Sequence, residues 1–169
     1  AFISLGLPDS LLGSAWPVMH QEFNVPISAM GITTILISLG TIISSLFSSK
    51  LNKKFGPGIV TSFSVLLTAI AIFGFSISTS FIHICIFALP YGLGAGAVDS
   101  SLNNYVALNY KSKHMNFLHA FWGIGTLIGP FAMSYALSKF LGWQKGYQIL
   151  GIIQLSIATV LFISLFMWK

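Results

Sequence analysis

This sequence predicts an all-α membrane protein, a bundle of six transmembrane helices, and three observations predict it. Hydrophobic residues make up 55% of the 169 residues and charged residues only 7%, whereas about a quarter of a soluble domain is charged. The apolar residues fall into six runs, each near the roughly 20 residues that a helix needs to cross the hydrocarbon core. The cations are all lysines and gather mainly between the runs. That placement speaks for topology in a lipid bilayer and against nucleic acid as the reason for the net charge of +5.

The first run covers residues 1–19 and leads into the polar connector 20–26. The second covers 27–49 and ends at Lys50, Lys53, Lys54 and the turn Gly56-Pro57-Gly58. The third covers 59–78, and the fourth covers 81–108 and is followed by Lys111 and Lys113. The fifth covers 115–138 and the sixth 147–167, with Lys139 and Lys145 between them. Lysines follow runs two and four, whereas none follows one or three. By the positive-inside rule the N-terminus is cytoplasmic, in a multi-pass protein of the plasma membrane. Lys139 and Lys145 fall on the outer side and weaken that orientation without reversing it. Ala1 is already apolar and the chain stops directly after an apolar run, so a longer parent chain is expected.

Runs three and six carry no charged group within their spans and are expected to face lipid. Runs one, four and five hold the polar residues. Gly40, Ser44 and Ser48, spaced by four, predict close packing of a helix against run two. Trp143 and Trp168 lie at helix ends and fit an interfacial aromatic belt. Cys85, the single cysteine, reads as a small buried residue.

Two of the three acidic residues lie inside spans. Asp9 stands in Gly6-Leu7-Pro8-Asp9-Ser10 and Asp99 in Gly96-Ala97-Val98-Asp99-Ser100, so both read G-x-x-D-S. Runs one and four are equivalent in a bundle of two inverted three-helix repeats, where matched Gly or Pro interruptions point towards a binding site. At about 1.5 Å per residue, Asp9 lies about 16 Å from the outer connector and Asp99 about 15 Å from the inner one. Both are therefore near the midplane of a core about 30 Å thick. An ionisable group there faces a cavity or a partner, and because desolvation disfavours the charged form of a carboxyl, it is suited to exchanging a proton. The competing reading is that each Asp only hydrogen-bonds a neighbouring helix.

Asn103 follows Asp99 by four residues and shares its helix face, whereas Asn104 points about a hundred degrees away. His119, near the start of run five, is expected at a depth similar to Asn103. Trp16, Trp122, Tyr91 and Tyr105 offer amphipathic rings on which a sugar stacks while acids and amides take its hydroxyls. The candidate solute- and proton-binding residues are thus Asp9, Asp99, Asn103, Asn104, His119, Trp16 and Trp122. No metal-binding, nucleotide-binding or nucleophile motif is present, so no enzyme activity, cofactor or metal is expected.

Asp99-Ser100-Ser101-Leu102-Asn103-Asn104-Tyr105-Val106 and Leu118-His119-Ala120-Phe121-Trp122-Gly123-Ile124-Gly125 resemble helices four and five of the major facilitator superfamily. The resemblance is to the N-terminal six-helix half, in the branch of fucose permease and the sodium-glucose transporter-like proteins. It implies half of a twelve-helix fold, with Asp9 and Asp99 at the positions that serve substrate binding and proton coupling in fucose permease. Departures accompany it. Ser49-Lys50-Leu51-Asn52-Lys53-Lys54-Phe55-Gly56-Pro57 stands where the superfamily has G-x-x-x-D-R-x-G-R, with Lys53 in place of the acid. Pro90 occupies the place of the helix-four arginine, and Gly125-Thr126-Leu127-Ile128-Gly129-Pro130 resembles the antiporter G-x-x-x-G-P without its following glycine pair.

The leading expectation is a secondary transporter of a small polar solute, a sugar, driven by proton symport through alternating access. Its partners are the solute, the proton, and either a missing C-terminal six-helix half or a second copy, because one half cannot enclose a central path. The alternatives are a six-helix interaction or scaffold protein without transport of its own, and an antiporter or exporter of the same superfamily.

Overall fold

The computed structural model describes residues 1–168. It is an all-α bundle, with no strand among the described residues. Seven α-helices run in order: α1 (Phe2–Asp9), α2 (Leu11–Glu22), α3 (Met30–Phe55), α4 (Pro57–Ser76), α5 (Phe81–Asn109), α6 (Ser112–Ser138) and α7 (Trp143–Ile163). Short 3-10 turns at Ile27–Ala29 and Ser164–Met167 extend α3 and α7. Five helices are long and apolar enough to cross a membrane, namely α3 to α7 with those extensions.

The first apolar run is two helices, not one. Pro8 lies inside α1 and has no N–H to donate to the carbonyl of Ser4, and the helix ends at Asp9 with Ser10 at φ −98°, ψ −3°. Ser10 fastens the break from the side, its hydroxyl donating to the Thr126 carbonyl of α6 at 2.9 Å. Irregular backbone at membrane depth is stable where protein or a cavity surrounds it.

Glycine sets which helices touch. A Cβ placed on Gly40 of α3 falls 2.6 Å from the Leu89 carbonyl oxygen and 2.8 Å from the Leu93 nitrogen of α5. A Cβ on Gly92 of α5 would run into the Ile37 carbonyl. Gly40, Ser44 and Ser48 are all buried on this crossing, as the small-residue spacing predicts. On the other side of the bundle, a Cβ on Gly6 of α1 would collide with the Trp122 carbonyl of α6, and one on Gly125 lies 2.5 Å from the Ile3 carbonyl.

The pairing is symmetric: α1 packs mainly on α6, and α3 mainly on α5. Counting α1 and α2 as the first span, span one meets span five and span four meets span two, which is the exchange that two related three-helix repeats require. The two G-x-x-D-S glycines sit at equivalent points of these crossings, Gly6 against Trp122 and Thr126, and Gly96 against Thr41 and Ser44.

α4, expected to face lipid, exposes the apolar stripe Ile59, Phe63 and Ile70 and packs its other side between α5 and α7, with 12 of its 20 residues buried. Its small residues Gly58, Ala69, Ala71 and Gly74 admit close neighbours, and Thr68 receives a hydrogen bond from the buried Gln154 of α7 at 2.7 Å. Trp143 does not lie in an interfacial belt. It is fully buried, donates from Nε1 to Glu22 Oε2 at 2.6 Å, and stands edge-on to Phe23 at 5.6 Å.

Candidate functional site

Four helices present stripes to one cavity of about 410 Å³. α1 contributes Phe2, Leu5 and Asp9, and α3 contributes Ile37 and Thr41. α5 contributes Tyr91, Ala95 and Asp99, and α6 contributes His119 and Trp122. Each set follows the three- or four-residue spacing that aligns side chains on one helix face. The lining residues include none from α4 or α7.

Asp9 is held from two other helices. Tyr91 Oη donates to its Oδ1 at 2.9 Å, and Trp122 Nε1 donates to its Oδ2 at 2.9 Å. Each carboxylate oxygen thus has one firm donor and retains a lone pair directed at other donors. The helix break directly after Asp9 stops α1 at the point where its carboxylate turns into the cavity. Tyr91 is itself buried, so its hydroxyl has one direction to point, whereas Trp122 is 40% exposed and presents an apolar ring face as wall.

Among the described residues, Asp99 is held from its own helix. Asn103 Nδ2 donates to Asp99 Oδ1 at 2.9 Å, the four-residue contact expected of one helix face. Asn103 Oδ1 is buried and has no hydrogen-bond partner among the described residues, which leaves an acceptor beside the carboxylate. Thr41, although it lines the cavity, commits its hydroxyl to the backbone carbonyls of Ile37 at 3.0 Å and Gly92 at 3.2 Å. His119 lies on the cavity wall with its ring edge-on to Phe2 at 5.9 Å.

Of the residues named from sequence, Asp9, Asp99, His119 and Trp122 meet in this cavity, and Asn103 reaches it through Asp99. Two do not. Trp16 is 2% exposed in the core of α2, where Nε1 donates to the Ile27 carbonyl at 2.7 Å and the ring packs on Phe81; the break at Ser10 separates it from the cavity stripe of α1. Asn104 is exposed away from the cavity lining, since one residue beyond Asn103 turns the side chain about a hundred degrees.

Tyr91 joins the site as the donor to Asp9, a role its sequence position signals only through the every-fourth stripe Tyr91, Ala95, Asp99 and Asn103 on α5. Among the described residues no group of three or more His, Cys, Asp or Glu side chains is placed to hold a metal ion.

The arrangement is two carboxylates among aromatic rings, with no lysine in the wall. It can accept hydrogen bonds from hydroxyls or amines and can take up a proton, while the ring faces bind apolar surface.

The family description "Major Facilitator Superfamily" matches residues 1–169. The chain is 26% identical over 147 residues to "Bypass of stop codon protein 6" of Saccharomyces cerevisiae, a match covering 84% of this chain and 28% of that protein. It is 25% identical over 150 residues to "4-hydroxybenzoate transporter PcaK" of Acinetobacter baylyi, covering 86% and 33% respectively. It is 21% identical over 131 residues to "Glucose/mannose transporter GlcP" of Bacillus subtilis, covering 76% and 33%. The chain therefore spans about a third of the length of the curated relatives it matches.

Proposed function

The chain belongs to the Major Facilitator Superfamily, and from that premise we propose that it is the N-terminal half of a secondary transporter that carries a small polar solute, a sugar, with a proton. The observation that carries this reading is the convergence of Asp9 and Asp99, from equivalent helices, on one cavity walled by Trp122 and Tyr91. A sugar's hydroxyls donate to the two carboxylates while its apolar face lies on the Trp122 ring. Proton uptake by a wall carboxyl neutralises its charge and couples solute entry to the proton gradient.

In this reading a second six-helix bundle, from the same longer chain or from a second copy, closes the cavity's open side. Rocking of the two bundles about the midplane site exposes it to each face of the membrane in turn. The protein lies in the plasma membrane with its N-terminus cytoplasmic, as the lysine asymmetry supports.

The experiment is uphill solute accumulation in vesicles containing the full-length protein. Asp99→Asn is expected to abolish accumulation, whereas undiminished, pH-dependent accumulation by that variant would overturn the coupling role. A second reading, an aromatic acid as solute, is favoured by the names of relatives such as the 4-hydroxybenzoate transporter of Acinetobacter baylyi. Two wall carboxylates without a lysine disfavour an anion while they are ionised, so hexoses are expected to compete for uptake and 4-hydroxybenzoate is not.

A further inference from the structure

A second cavity, of about 300 Å³, lies at the other end of the lysine-rich hairpin between α3 and α4. Its wall is apolar but for one hydroxyl: Leu51 and Phe55 come from the last turns of α3, and Ile59, Val60, Phe63 and Ser64 from the first turns of α4. None of these residues lines the solute cavity. The groove owes its shape to Gly56, whose φ of +83° lets the chain reverse between the two helices.

The groove ends beside a cation. Lys53 and Lys54 occupy the last turn of α3, and of the two it is Lys54 whose Nζ stands against the groove, 5.1 Å from the centroid of the Phe55 ring. The ammonium therefore sits directly on a wall residue of the groove. No carboxylate balances this charge within the hairpin, because the chain's acidic residues are Asp9, Glu22 and Asp99.

An apolar slot that opens onto an unbalanced ammonium group, where a spanning helix leaves the hydrocarbon, matches an amphiphile of opposite polarity arrangement. We propose that this groove binds an anionic phospholipid, with one acyl chain against Phe55, Ile59 and Phe63 and the headgroup phosphate on Lys54 at its end. Basic pockets between transmembrane helices at the membrane surface hold anionic headgroups, and an acyl chain in the groove gains van der Waals packing against its apolar wall. A zwitterionic lipid of the same chain length fits the slot equally and lacks the net charge that the lysine selects. The site does not depend on what the central cavity transports.

The test is native mass spectrometry of the delipidated full-length protein titrated with phosphatidylglycerol and, separately, with phosphatidylcholine carrying identical acyl chains. The wild-type protein is expected to retain phosphatidylglycerol about tenfold more tightly, given that each basic residue near the surface adds appreciable attraction. The double variant K53Q/K54Q is expected to bring the two lipids within about twofold of each other. Ser64→Trp, which fills the groove from α4, is expected to weaken both lipids. Equal retention of the two lipids by the wild-type protein overturns the proposal, as does a phosphatidylglycerol preference that survives K53Q/K54Q. Unchanged binding in Ser64→Trp overturns it as well, by showing that protein rather than lipid covers the groove. Solute uptake assayed in parallel separates this result from the transport reading, since both hairpin variants leave Asp9 and Asp99 untouched.

Discussion

Tyr91 and Asp9 lie 82 positions apart in sequence, and the tyrosine hydroxyl donates to the aspartate Oδ1 at 2.9 Å. This bond joins α5 to α1 at the cavity and aims the Asp9 carboxylate. Tyr91→Phe keeps the buried ring and removes only the donor. A lost hydrogen bond to a charged group costs about 1.5 kcal/mol or more, so the variant is expected to lose about that much stability, and the unaimed carboxylate is expected to raise the half-saturation concentration for solute. An unchanged half-saturation concentration in transport assays would contradict the aiming role.

The two tryptophans once grouped by their chemistry are expected to behave oppositely. Trp122→Leu removes a cavity wall and the second donor to Asp9, and is expected to weaken solute binding with little loss of fold. Trp16→Leu leaves a void in the core around α2, and is expected to destabilise by about 3 kcal/mol while the folded fraction binds normally. Thermal melts and solute-binding isotherms on both variants separate these outcomes.

Gly92→Ala is expected to destabilise by about 2 kcal/mol, because its Cβ would run into the Ile37 backbone and neither helix can yield locally. Gly31 is the matched control. A Cβ there meets nothing within 4 Å, so Gly31→Ala is expected to be neutral or to stabilise by up to about 1 kcal/mol through helix propensity. Equal melting temperatures for the two variants would show that the α3–α5 crossing is looser than described.

The bond from Trp143 to Glu22 ties the end of α2 to the start of α7. Trp143→Phe retains the aromatic packing on Phe23 and loses a charge-assisted donor, and a drop of about 2 kcal/mol is expected. Glu22→Gln keeps an acceptor oxygen and should cost less. Unfolding in mild detergent, followed by thermal shift, ranks the two.

Much of the architecture was legible because crossing a bilayer imposes coarse rules. An apolar run near 20 residues becomes a spanning helix almost regardless of its neighbours, and so α3, α5, α6 and α7 lie in their expected order. The small-residue series Gly40, Ser44 and Ser48 foretold a close crossing for the same reason, since only small side chains admit a backbone. Hydropathy is silent where lipid and protein interior look alike. α4 exposes Ile59, Phe63 and Ile70 on one side and packs on α5 and α7 with the other, and its apolar content does not tell the two sides apart, because Leu, Ile and Phe suit both surroundings equally. Pro8 was visible in the sequence, but proline bends some helices and breaks others, and the bond from Ser10 to Thr126 accompanies a break here.

By itself the sequence determined the six apolar runs, the positions of Asp9 and Asp99 inside two of them, and the small residues at which helices approach. These follow from one-dimensional quantities: run length, residue volume, and a rise of about 1.5 Å per residue. Only the tertiary structure decided that Asp9 takes its donors from Tyr91 and Trp122, that Trp16 belongs to the core, and that Trp143 is paired with Glu22. The physical reason is rotation. A helix can turn about its axis without altering its hydropathy, and the angle it adopts is set by packing against neighbours that are remote in sequence.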